Sequence, residues 1–162
     1  MKFRFSLPSV LLLGVVASLA ACKDDDDKAT PDYTAQDDAI IQQYIKDKSL
    51  TGFRKDTLDV YINVTQPGTG PNARKGNVVK ALYKGTTLDG NVFDSNLTTL
   101  GFPFLLGQGR VISGWDGAFT RLNKGAKATL LIPSKAAYGT SGSGSIPANA
   151  VLRFDVEVVD IK

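Results

Sequence analysis

The stretch FPFLLGQGRVISGWDGAFTRLNKGAKATLLIPSKAAYGTSGSGSIPANAVLRFDVEVVDI, residues 102–161, changes its hydrophobic period along its length, and those changes decide the fold. Trp115, Ala118, Phe119 and Leu122 recur at i, i+3, i+4 and i+7 between Gly114 and Gly125, the spacing of one face of a short helix. Further on the period falls to two. Ala128, Leu130 and Ile132 alternate up to Pro133, and Leu152, Phe154, Val156 and Val158 alternate with Arg153, Asp155 and Glu157. Alternation, in place of continuous apolar runs, selects antiparallel sheet with one buried face. A short helix laid across one face of a curved sheet buries both apolar surfaces, so the expected class is α+β.

Upstream, the same period of two runs through Leu58, Val60, Ile62 and Val64 and stops at the turn cluster Pro67-Gly68-Thr69-Gly70-Pro71. Val79, Ala81 and Tyr83 repeat it up to Gly85. The expected domain spans residues 57–162, and no internal repeat divides it. Residues 34–56 precede it as a helix and linker. Thr34 stands three residues before Asp37, a weakened capping box, and Ile41, Tyr44 and Ile45 follow helical spacing. A helix over Ala35 to Lys48 is expected to dock on the domain, with dimerisation as the alternative.

Residues 1–21 have the layout of a secretory signal: Lys2 and Arg4, an apolar stretch from Val10 to Ala21, then small residues. The stretch falls short of the roughly 18 apolar residues of a membrane span. Leu19-Ala20-Ala21-Cys22 looks like a bacterial lipobox, which makes Cys22 the expected site of lipidation and the cell envelope, at the outer membrane, the expected location. Residues 22–33 read as an acidic flexible tether. Within it Asp24-Asp25-Asp26-Asp27-Lys28 leaves three readings open: a protease site left by cloning, a solvated tether, or an address for export to the outer surface.

Composition excludes several chemistries. The chain has no histidine, which removes the usual general base, the Ser-His-Asp and Cys-His arrangements and the commonest metal ligand. Its single cysteine forms no internal bridge, and the four aspartates lack the alternating ligands and central glycine of a calcium loop. The formal charge of +3 falls to about +1 without Lys2 and Arg4, and the basic residues are scattered, so nucleic acid is not an expected partner. Gly107, Gly109 and Gly114 miss the spacing of a dinucleotide fingerprint, and GTSGSGS at 139–145 lacks the ending of a phosphate loop; it reads as a flexible loop tip over a pocket.

Three segments in order, VTQPGTG (64–70), ALYKGTTLDGNVFDSN (81–96) and the opening stretch, resemble the FKBP-type peptidyl-prolyl cis-trans isomerases over essentially all of residues 57–162. A lone Phe-Asp pair carries no weight; the ordered set with consistent spacing does. The resemblance implies a twisted antiparallel sheet wrapped around a short helix, with an aromatic pocket between them. It implies that Tyr83, Phe93, Asp94 and Phe102 line that pocket, that Val111, Ile112 and Trp115 form its floor and one wall, and that Tyr138, Ile146 and Phe154 complete it. The Tyr138 hydroxyl and the Ile112 amide become the expected donors to substrate carbonyls. Read without the resemblance, such aromatics are ordinary core.

The activity implied is rotation about X-Pro bonds of exported proteins, without cofactor or metal. Proline-containing polypeptides are the implied partners, macrolides the implied inhibitors, and a lipidated N-terminus the contact with a membrane. A non-catalytic polypeptide-binding module is the alternative. The chain departs from the family's pattern in NLTTLG at 96–101, which is a residue short and lacks the arginine that pairs with the pocket aspartate. Ser113 stands where a basic residue is common, and the loop at 140–145 is also a residue short.

Overall fold

The computed structural model describes residues 32–162, so the readings made on residues 1–31, Cys22 and the aspartate run included, lie outside the described residues. The elements are α1 (Thr34–Asp47), β1 (Arg54–Lys55), β2 (Tyr61–Gln66), β3 (Thr69–Asn72), β4 (Val78–Thr87), β5 (Val92–Asn96), β6 (Phe102–Leu105), α2 (Ser113–Ala118), β7 (Asn123–Lys124), β8 (Lys127–Ile132) and β9 (Leu152–Ile161). A seven-stranded antiparallel sheet runs in the order β1-β2-β8-β9-β4-β5, with β6 on the first half of β4 where β5 holds the second. β3 and β7 form a separate pair.

The helical face read from the sequence is the one that buries. Trp115, Ala118, Phe119 and Leu122 pack with Val79, Ala81, Leu130, Phe154 and Val158 in one apolar core. The regular α-helix ends at Ala118; a 3-10 turn over Phe119–Arg121 carries Phe119, and Leu122 follows it in extended backbone.

Three expectations change on the molecule. The strand read from Leu58 to Val64 is β2 and begins at Tyr61, because the Asp56 carboxylate accepts from the N–H groups of Leu58 (2.8 Å) and Val60 (2.9 Å) and bends Asp59 to a φ of 60°. β4 does not stop at Gly85 but continues to Thr87. Nor is β8 buried on one face alone: Leu131, on the face opposite Leu130, joins Ile41 of α1 and Val151 in a second apolar cluster.

α1 therefore covers the outer face of the sheet. Its polar contacts fix its angle: Asp38 accepts from Lys55 Nζ at 2.6 Å and from the Tyr61 hydroxyl at 2.8 Å, and Arg153 donates to the Tyr44 hydroxyl at 3.3 Å. Thr34 does not cap the helix: it is the first helical residue, Tyr33 holds the cap position without a side-chain bond, and Asp32 before it accepts from the Thr34 N–H and hydroxyl. Asp37 does not complete a capping box, because it turns inward to Ser134. Truncating fully buried Ile41 to alanine is expected to cost about 3 kcal/mol, read as a lower midpoint in urea at unchanged slope.

Candidate functional site

A cleft of about 180 Å³ opens where the concave side of the sheet meets the loop before α2. Tyr83 reaches it from β4, Phe93 and Asp94 from β5, Phe102 from β6 and Phe154 from β9. Val111 and Ile112 come from the loop, Trp115 from the first turn of α2, and Tyr138 from the link between two 3-10 turns. The order of strands explains the convergence. β4 runs between β9 and β5, so Gly85 faces Phe154 on one side and Asp94 on the other.

The rings hold one another edge to face. Trp115 lies 5.1 Å from Tyr83 at 85° and 5.3 Å from Phe154 at 78°, while Phe93 meets Phe154 at 5.5 Å and 82°. Each such pair adds about 0.5–1.5 kcal/mol beyond its buried area, so the walls are preorganised. The Trp115 Nε1 is buried with no hydrogen-bond partner among the described residues. Behind Trp115, Phe104 and Phe119 complete the core and take no part in the cleft.

Polar groups are few. The Tyr83 hydroxyl donates to Asp94 Oδ2 at 2.6 Å, which answers where the pocket aspartate finds a partner without an arginine. Burial, then this bond, pushes the Tyr83 pKa far above the ordinary tyrosine value. Tyr138, 37% exposed, is also raised, by burial first and then by the Asp94 charge. Its hydroxyl donates to no group among the described residues. The Ile112 carbonyl accepts from the N–H groups of Trp115 (2.9 Å) and Asp116 (3.2 Å), whereas the Ile112 amide likewise donates to no described group. The Asp116 carboxylate holds the approaching loop by accepting from Gly107 N–H at 2.8 Å and Gly109 N–H at 3.0 Å.

Ile146 is the residue of the expected set that does not line the cleft. Reciprocal bonds close its turn, Ser143 N–H to Ile146 O at 3.0 Å and Ile146 N–H to Ser143 O at 2.8 Å, and its side chain joins the core. Arg110, at the exposed rim, does line it; its position one residue before Val111 in the same loop was the available signal. Among the described residues no cluster of metal-ligating side chains exists and no helix is long and apolar enough to cross a membrane.

The fold and the cleft define a class: a curved antiparallel sheet closed over one short helix, with an aromatic cavity between them. A family model for FKBP-type peptidyl-prolyl cis-trans isomerase matches residues 70–159. The isomerase FkpA of Escherichia coli is 34% identical over 147 residues, 91% of this chain and 52% of that protein. FK506-binding protein 4 of Emericella nidulans is 42% identical over 108 residues, 67% of this chain and 22% of that protein. The crystal structure of a peptidyl-prolyl cis-trans isomerase from Pseudomonas syringae superposes with a TM-score of 0.67 at 30% identity, covering 80% of this chain and 96% of that one. That of Escherichia coli FkpA gives 0.66 at 33%, covering 80% and 61%. The chain belongs to the FKBP-type peptidyl-prolyl cis-trans isomerase family. It spans between about a fifth and about half of the length of these curated relatives.

Proposed function

We propose that the chain is a prolyl isomerase that turns X-Pro bonds of exported polypeptides in the cleft above Trp115. The observation that carries this reading is the convergence of Tyr83, Phe93, Trp115 and Phe154 on a cavity with room for a five-membered ring, beside two donors left unused. Rotation of a peptide bond faces a barrier of about 18–20 kcal/mol because amide resonance is lost. No bond to hydrogen or carbon breaks, so a chain without histidine is not at a disadvantage. As the amide twists, the nitrogen lone pair is withdrawn from the carbonyl and charge separation falls. Aromatic walls favour that state over the planar one, and each tenfold acceleration needs about 1.4 kcal/mol of such preference. The Ile112 N–H and Tyr138 hydroxyl donate to carbonyls flanking the ring and hold the peptide in a turn. Tyr83 keeps Asp94 occupied at the rim.

Purified residues 29–162 are expected to accelerate cis-to-trans conversion of an X-Pro peptide. Absence of acceleration at micromolar protein sinks the reading and leaves the polypeptide-binding module. Tyr138→Phe, which removes one neutral donor, is expected to lower kcat/KM by about fivefold to tenfold with little change in stability. The pH profile is a further check. With no histidine and both pocket tyrosines raised, kcat/KM is expected to be flat between about pH 6 and 9. The raised tyrosines hold their protons in the folded state above the point where the unfolded chain loses them. Their contribution to stability is thus complete below about pH 10 and lost as pH rises through the raised values.

In the same reading the enzyme is held at the bacterial cell envelope by a lipid on Cys22 of the Leu19-Ala20-Ala21-Cys22 motif. Labelled palmitate incorporated by the wild type and lost in Cys22→Ser supports it; equal labelling overturns it. Replacing Asp24 to Asp27 by alanine separates the remaining readings, since only an export address makes protease shaving of intact cells sensitive to that change. Macrolides that bind the same cleft are expected to inhibit.

A further inference from the structure

Asp37 is the only charged side chain among the described residues that is fully buried, at 1% exposure. A carboxylate taken out of water is costly unless hydrogen bonds replace its hydration. Both replacements come from one residue: Ser134 donates its N–H at 2.8 Å and its hydroxyl at 2.6 Å to Asp37 Oδ2. The partners lie far apart in the chain, so the bonds tie the first turn of α1 to the segment that leaves β8.

That segment carries Tyr138 without help from the sheet. Ser134–Ala136 is a 3-10 turn, closed by Ala136 N–H to Pro133 O and Ala137 N–H to Ser134 O, both at 2.9 Å. On its inner side it rests on the start of α2. A Cβ placed on Gly114 would stand 3.1 Å from the Ala136 carbonyl, tighter than ordinary contact, and 2.5 Å from Ile132 Cγ2, so the turn and the end of β8 both pack closely on the start of α2. On its outer side Asp37 holds it.

We propose that Asp37 is a positioning residue for the isomerase site: through Ser134 it sets the turn that aims Tyr138 into the cleft, making α1 a working part of the site. The inference rests on the isomerase reading and deepens it. An alternative role for Asp37, as a negative charge near the helix N-terminus, would depend on its charge. Positioning depends on its acceptor oxygen, which asparagine keeps.

The experiment measures X-Pro peptide turnover for the wild type, Asp37→Ala and Asp37→Asn, each alone and combined with Tyr138→Phe, together with amide hydrogen exchange at residues 134–138. Asp37→Ala is expected to lower kcat/KM about tenfold alone but less than about twofold in the Tyr138→Phe background, while Asp37→Asn stays within about threefold of the wild type. An equal factor in both backgrounds, or no loss at all, overturns the proposal, as does an Asp37→Asn protein as slow as Asp37→Ala. Should Asp37→Ala not fold, Ser134→Ala, which removes only the hydroxyl bond, serves in its place, with an expected loss of about threefold that vanishes beside Tyr138→Phe. A wild type without turnover sinks the isomerase reading separately. The Ser134 amide must then still exchange at least about tenfold faster in Asp37→Ala with the Tyr138 ring signals shifted, and unchanged exchange or unshifted signals overturn the positioning role.

Discussion

Phe154→Ala is expected to lower kcat/KM for an X-Pro peptide by about a hundredfold, which corresponds to about 2.7 kcal/mol of transition-state binding. It is also expected to lower the unfolding free energy by about 3–5 kcal/mol, because the ring is 4% exposed and its removal opens a void beneath the sheet. Both effects have the same origin. Phe154 sets the position of Phe93 at 5.5 Å and of Trp115 at 5.3 Å, so its loss frees two other walls of the cleft. The control is Leu122→Ala, a fully buried core position outside the cleft that is expected to cost about 2–4 kcal/mol yet leave turnover of the folded fraction near that of the wild type. If both variants lose turnover in proportion to their folded fraction, Phe154 acts through stability alone and its place in the site is wrong.

How much of this was legible in the sequence follows from which interactions are local. The period of 3.6 from Trp115 to Leu122 and the period of two along β9 depend only on which face meets the core, and both are found in the structure. Positions set by a side chain that competes with the regular pattern were misread. Asp56 delays β2 by taking the N–H groups of Leu58 and Val60, although the alternation through Leu58 is intact. Asp37 has the spacing of a capping residue, but its true partner is Ser134, which no local pattern can point to. β8 looked one-sided because the helix that covers Leu131 comes from the other end of the chain.

The pocket was legible through the ordered motifs, since their spacing carries the register that brings β4, β5 and β9 together. Its details were not. Ile146 sits beside a flexible-looking glycine loop, yet its backbone is fixed by two bonds to Ser143 and its side chain goes inward. The missing arginine near Asp94 was visible, whereas the Tyr83 hydroxyl that takes its role requires the facing strands in place.

Gly85→Ala is the second large effect, and its sign is decided by a contest between two contributions. Reducing the freedom of the unfolded chain favours alanine by about 0.4–1 kcal/mol, and the strand offers no left-handed backbone to oppose it. Against this, the added Cβ would stand 2.6 Å from Phe93 Cζ, 2.7 Å from Phe93 Cε2 and 2.8 Å from Phe154 Cε1. Carbon atoms rest at about 3.5–4.0 Å, so both rings must retreat by about 1 Å. Such overpacking costs about 1–3 kcal/mol, which outweighs the entropic gain. Neither ring has an easy exit: Phe154 is backed by Trp115, and Phe93 retreats only into the cleft or out to solvent. The expected result is a net destabilisation of about 1–2 kcal/mol with a drop of more than about tenfold in kcat/KM, measured where the variant remains folded. A strand that merely ended at Gly85, as its alternation suggests, would accept alanine freely. A variant with a raised melting temperature and unchanged turnover therefore removes Gly85 from the construction of the cleft and with it the account of why two aromatic rings approach β4 so closely.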